Sequence, residues 1–165
     1  MNATERTRKI EAYGQGYAFL AQTLADIPPE AWKHKPSPEE WSVHEIVVHM
    51  ADSESMAALR IRKLIVEPGS TLMAYEESKW ADALNYLNQN AQDCLQIIQL
   101  ARRSTYGLLK SVPDRVLDHA VKHPEMGEPY TFDTWLEIYS RHIPDHIEQI
   151  KRAAQDWERH KDRPQ

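Results

Sequence analysis

Cysteine is nearly absent from this chain of 165 residues: Cys94 stands alone. No internal disulfide and no cysteine-based zinc site can therefore form. In its apolar stripe Cys94 reads as a small buried group. No run approaches the roughly 18 apolar residues of a membrane span. Neither sign of charge is gathered into long runs, and 25 acidic against 20 basic residues leave a net charge of −5. A nucleic-acid partner would want a basic patch, so none is expected. The amino terminus leads through Glu5 and Arg6 into a charged amphipathic segment with no signal-peptide apolar core, so a cytoplasmic, soluble protein is expected. Repeats, linkers and low-complexity stretches are missing too. The length suits one domain, over residues 1–165, with a substantial core.

What is present is helical periodicity. Ile10, Tyr13, Tyr17, Leu20, Leu24 and Ile27 recur at steps of three and four, the stripe of a core-facing helix. Gly14 and Gly16 weaken it locally, and Pro28-Pro29 stops it. A proline-rich connector follows, with Trp32 and Trp41 as anchors. Ser42-Val43-His44-Glu45 has the form of a capping box and opens a second helix, running to about Val66. Its inner stripe is Ile46, His49, Ser53, Met56, Arg60 and Leu64. Residues 70–79 read as a loop. A third helix follows from Trp80 to about Leu109, with Asn85 to Asn90 able to break it into two pieces. Pro113, Pro124, Gly127 and Pro129 mark an irregular connection in which His119 and His123 are expected to be solvent-exposed. A fourth helix runs from about Thr131 to Arg159. Pro144 should kink it while its apolar period continues. Four amphipathic helices imply an all-α four-helix bundle.

Within that bundle three histidines point inward. His142 and His146, four residues apart, share one helix face, and His49 lies in the middle of the second helix's stripe. Three neutral imidazoles suit a divalent transition metal with an open coordination position, whereas a closed structural site wants four protein ligands. Spacing alone does not make this a zinc-protease helix, because the residue after the first histidine is Ile143, not glutamate. A carboxylate-bridged di-iron centre fails as well. The residues three before His49, His142 and His146 are Ile46, Tyr139 and Ile143, none of them acidic. Glu45 and Asp52, one turn either side of His49, are the candidates to orient an imidazole or to act as catalytic base. Tyr139 is placed to line a pocket or pack in the core, and Gln149 to be a satisfied polar group at the bundle end.

Two motifs carry a resemblance: Trp41-Ser42-x-x-Glu45-Ile46-x-x-His49-x-x-Asp52-Ser53-Glu54, and Arg141-His142-x-x-x-His146-Ile147-x-Gln149-Ile150. In order and separation they resemble the DinB/YfiT-like family, over essentially the whole chain. The resemblance implies a four-helix bundle, often dimeric, that binds a divalent metal, zinc or nickel by preference, through His49, His142 and His146. It implies a metal-dependent hydrolase, or a transferase using a low-molecular-weight thiol as cosubstrate, acting on a small molecule. Pro144 within the histidine pair departs from the family pattern. Two other readings stay open on the sequence: a bundle that holds a metal or small ligand without turnover, and a structural bundle with three satisfied core histidines.

Overall fold

The architecture, taken from a computed structural model that describes residues 1–127 and 129–162, is the all-α bundle expected from the stripes. Helix α1 (Ala3–Ala25) starts well before its first stripe residue, because the Asn2 side chain caps it by accepting the Glu5 amide. Helix α2 (Val43–Val66) is opened by a complete capping box: Ser42 Oγ accepts the Glu45 amide at 3.2 Å, and Glu45 Oε2 accepts the Ser42 amide at 2.8 Å. The connector before it is pinned where the His44 amide donates to Trp32 O at 2.8 Å.

The third helical stretch is broken, as the asparagines allow. A short α3 (Glu77–Ala83) lies where a loop was expected to end, and α4 (Ala91–Leu109) follows after a single turn at Tyr86–Asn88. Asn85 sits between them at φ 50°, a left-handed conformation that asparagine tolerates better than most residues. The connection after α4 is less irregular than its prolines suggest. Strands β1 (Ala120–Val121) and β2 (Tyr130–Thr131) pair antiparallel, and Lys122 exchanges backbone hydrogen bonds of 2.8 Å with Ser70 and Leu72. His119 and His123 are accordingly half-buried rather than exposed. The His119 ring donates from Nδ1 to Leu64 O at 3.2 Å, and His123 stacks on Tyr130. Helix α5 (Phe132–His160) runs unbroken through Pro144.

Helix α1 packs against α4 and α5, and α2 packs against the same two. Chain neighbours α1 and α2 therefore stand at opposite corners of the bundle, as do α4 and α5. This explains the long connections before α2 and after α4, since a short loop would place successive helices side by side. Ion pairs bolt α1 to α5 outside the core: Arg6 to Asp133 at 2.8 Å and Lys9 to Glu137 at 2.8 Å.

The interior divides into two apolar clusters. One gathers Leu20, Ile46, Val47, Met50, Ile98 and Ile143; the other Tyr13, Ala57, Ile61, Leu109, Trp135 and Leu136. Between them lies a polar layer of Ser53, Glu54, Arg102 and Thr105, all buried. Cys94 is buried in the first cluster, a small apolar group as its stripe implied.

Because Ile98 is wholly buried where α4 meets α2, Ile98→Ala should lower the unfolding free energy by about 2–5 kcal/mol. Urea titration followed by circular dichroism measures this; a loss under about 1 kcal/mol would mean the cluster relaxes around the gap.

Candidate metal centre

His49 comes from α2, and His142 and His146 from the middle of α5, where the two helices pack. The ring centroids of His142 and His146 lie 4.6 Å apart, those of His49 and His146 4.9 Å, and those of His49 and His142 5.8 Å. One nitrogen from each ring lies within 4.8 Å of the others. Around a tetrahedral ion at about 2.0–2.1 Å from each nitrogen, neighbouring nitrogens stand about 3.3 Å apart, so the rings need close by no more than about 1.5 Å. Modest side-chain torsions supply that distance.

The electrostatics favour neutral rings. Burial pushes His49 down to about 3, with His146 and His142 adding to the effect. Burial likewise pushes His146 down to about 4, and His142 adds to it. Neutral imidazoles are the form that donates a lone pair to a metal. His49 is only 1% exposed, and among the described residues its Nδ1 has no hydrogen-bond partner. A buried polar atom left in that state is costly. The Trp41 ring lies against the same imidazole, 4.8 Å between centroids.

The other two rings are held from outside the cluster. His146 Nδ1 is 2.9 Å from Gln149 Oε1, and as donor in that bond it leaves Nε2 with its lone pair. His142 Nδ1 stands 3.4 Å from Glu54 Oε1, a close contact not aligned as a hydrogen bond. Its Nε2 is 3.1 Å from Ser53 Oγ. Partners of this kind fix ring orientation and tautomer around a metal.

Glu54 is fully buried and anchors the whole layer. Burial alone would raise its carboxyl, but the Arg102 guanidinium, helped by His142, holds it below the usual carboxylate range. Arg102 donates to Glu54 through Nη1 in a short ion pair and to Tyr13 O through Nε at 3.1 Å and Nη2 at 2.7 Å. The guanidinium also lies over the Tyr13 ring, 3.9 Å from its centroid. Gly16 makes room: a Cβ there would come within 2.8 Å of Arg102 Nη2. What reads as a weak point in the first helix is the space Arg102 occupies.

The three histidines singled out in the sequence thus come together. The two acidic candidates do not join them by hydrogen bonds. Glu45 is used in the capping box and pairs with Lys35 at 3.2 Å. Asp52 accepts the Tyr86 hydroxyl at 2.6 Å, and among the described residues it makes no hydrogen bond to a cluster imidazole. Sequence reasoning missed Glu54, although it stands in the first motif, and missed Arg102 entirely. Gln149 is a satisfied polar group, as expected, and the group that satisfies it is His146.

Comparison with known proteins points the same way. The sequence profile of the DinB superfamily matches residues 12–150. A protein of Oceanobacillus iheyensis, provisionally named a metal-dependent hydrolase, is 26% identical over 141 residues, spanning 84% of this chain and 81% of its own length. YfiT of Bacillus subtilis, provisionally named in the same way, is 24% identical over 114 residues, 69% of this chain and 64% of its own. A solved structure of YfiT, described as having an unusual four-helix bundle topology, superposes with a TM-score of 0.86 at 20% identity, covering 94% of this chain and 89% of the other.

If Glu54 and Arg102 act as one unit, single and double changes will not add. Glu54→Gln and Arg102→Met should each destabilise by about 3–5 kcal/mol, since each leaves a buried group without its partner. The double variant should lose less than the sum, by about 0.5–3 kcal/mol. Urea unfolding of the four proteins gives the coupling; strict additivity would show that the pair is not a unit.

Proposed function

The chain belongs to the DinB superfamily, and from that premise we propose a metalloenzyme acting on a small molecule, with one divalent ion held by His49, His142 and His146. The observation that carries this reading is the convergence of three imidazoles, two of them kept neutral by burial, with Gln149 and Glu54 placed against the outer nitrogens of His146 and His142. An all-imidazole set of three suits zinc or nickel and leaves at least one position open. When bound, the ion supplies a Lewis acid that lowers the pKa of a water or stabilises a thiolate. Both hydrolysis and transfer of a low-molecular-weight thiol are compatible with that chemistry; the provisional names of the relatives favour hydrolysis.

The protein's own groups would then divide the work. Gln149, hydrogen-bonded to His146 Nδ1, orients one ligand and fixes its protonated nitrogen, while Glu54 places a negative charge beside His142 Nδ1. Trp41 and the apolar residues around His49 keep water away from one side of the cluster. Asp52, one turn after His49 and held by Tyr86, is the residue we assign to proton transfer.

Purified protein should contain about one equivalent of zinc or nickel per chain by elemental analysis. His142→Ala should remove it, and Glu54→Gln should weaken affinity about 10- to 100-fold. Asp52→Asn should retain the metal and lose turnover about 10²- to 10⁴-fold. A protein that binds no ion from a zinc- and nickel-containing buffer would end this reading. One that binds it and turns over neither small esters and amides nor thiol acceptors would be a binding module.

Removal of the ion should leave the fold intact, because two apolar clusters stand on either side of the polar layer without it. Chelation should lower the melting temperature through the linkage term, a few kcal/mol at saturating metal, while helical circular dichroism at 25 °C is unchanged. Loss of helix on chelation would make the ion structural.

A further inference from the structure

Six buried side-chain polar atoms lack a hydrogen-bond partner among the described residues. Two belong to the histidine cluster. Three others are Arg60 Nε, Tyr75 Oη and Tyr130 Oη, and Tyr130 shares an apolar cluster with Tyr139. Arg60 donates to Tyr139 Oη at 3.1 Å and lies 5.9 Å from the Tyr75 ring centroid. Burial, chiefly, pushes the Tyr75 phenol up to about 12 and raises that of Tyr130, with Arg60 and Tyr139 acting on both and Ser53 also on Tyr75. Tyr130 is 1% exposed and Tyr139 3% exposed. The Tyr139 ring in turn lies 5.8 Å from that of His142. Donors that water would ordinarily satisfy are thus held in a group beside the three histidines.

Placement follows from the helix. His49, Ser53, Met56 and Arg60 run along one stripe of α2, and Arg60 is seven residues, about 10 Å, beyond Ser53. Side chains lean toward a helix's N-terminus, so Arg60 reaches back toward the histidines. On its outer side it forms part of the wall of an apolar groove of about 490 Å³, with Met56, Leu59, Val66, Leu72 and Met73. The other cations on that wall are occupied: Lys63 pairs with Glu67 at 2.6 Å, and Arg62 donates to Ser104 and Thr105. Arg60 pairs with no carboxylate among the described residues; its remaining bond goes to Met73 O at 2.8 Å.

We infer that Arg60, with the hydroxyls of Tyr75, Tyr130 and Tyr139, receives a carboxylate of the substrate, an inference that rests on the reading of the adjoining histidines as the reactive centre. A guanidinium and neutral phenols are donors, and they match an anionic oxygen group. One guanidinium balances one charge. With Glu54 and Glu77 also acting on Tyr139, a monoanion is repelled less than a phosphate dianion, so a carboxylate is the class selected. The groove beyond Arg60 suits an apolar tail on the same molecule.

The test is isothermal titration of acetate, butyrate and hexanoate, with inorganic phosphate for comparison, into wild type, Arg60→Met, Tyr130→Phe and His142→Ala. Metal content and circular dichroism are measured on the same samples. Wild type should bind the carboxylates more tightly as the tail lengthens, and phosphate more weakly. Arg60→Met should lose about tenfold or more in affinity, and Tyr130→Phe a smaller factor, both with wild-type metal content. Tyr130→Phe removes one hydroxyl only, so it carries the test if Arg60→Met misfolds. Carboxylate binding that is absent, unchanged in both variants, or abolished by His142→Ala alone would overturn the inference, as would tighter binding of phosphate. Arg60-dependent binding in a protein that holds no metal would instead sink the metalloenzyme reading and leave this site standing.

Discussion

A single buried charge pair touches all four long helices. Glu54 belongs to α2 and Arg102 to α4; the guanidinium is bound by the Tyr13 carbonyl of α1, and the Glu54 carboxylate faces His142 of α5. Tyr13 also donates its hydroxyl to Glu54 at 3.2 Å. Buried ion pairs are poor sources of net stability, because the desolvation of both charges roughly cancels their attraction. What this one supplies is position. It is satisfied only when the four helices have a particular axial offset, and at that offset His49 and the two histidines of α5 face each other. Apolar clusters above and below the layer supply the cohesion; the pair supplies the register.

The same layer reconciles two needs that pull apart. Histidines that are to hold a metal, as proposed, must be neutral, which burial brings about for His49 and His146. They must also point one way, which apolar packing alone does not enforce on a nearly symmetric ring. Gln149 and Glu54 each face an outer nitrogen, so orientation comes from polar partners and neutrality from the apolar surroundings. The Trp41 ring lies against His49, and among the described residues His49 Nδ1 has no hydrogen-bond partner.

Much of this was legible in the sequence, and the parts that were not share a cause. The helix stripes, the capping box at Ser42, the break near Asn85 and the inward histidines all follow from spacing within about ten residues. Glu54 and Arg102 do not. On a helix an isolated glutamate or arginine reads as a solvated face, and nothing local distinguishes Arg102 from its neighbour Arg103, which is exposed. The signal that could have flagged Arg102 lies 86 positions earlier, at Gly16, and becomes readable only once α1 and α4 are known to touch. The half-burial of His119 and His123 likewise depends on strand pairing between segments that their prolines disguise. Long-range pairings set the roles of polar residues here, while local periodicity sets the elements.

The diagonal arrangement of the helices bears on how the molecule forms. Neither α1 with α2 nor α4 with α5 can settle as a hairpin, so early segments find lasting partners only in later ones. Contacts of large sequence separation slow folding, since loop closure must precede the gain from packing. On the ribosome α1 and α2 would wait with their apolar stripes uncovered until α4 arrives, and the histidine cluster would stay open until α5 docks. Nascent chains of this topology present His49 and Glu54 before the residues that complete their surroundings exist, which makes the docking of α5 the step that closes both the core and the site.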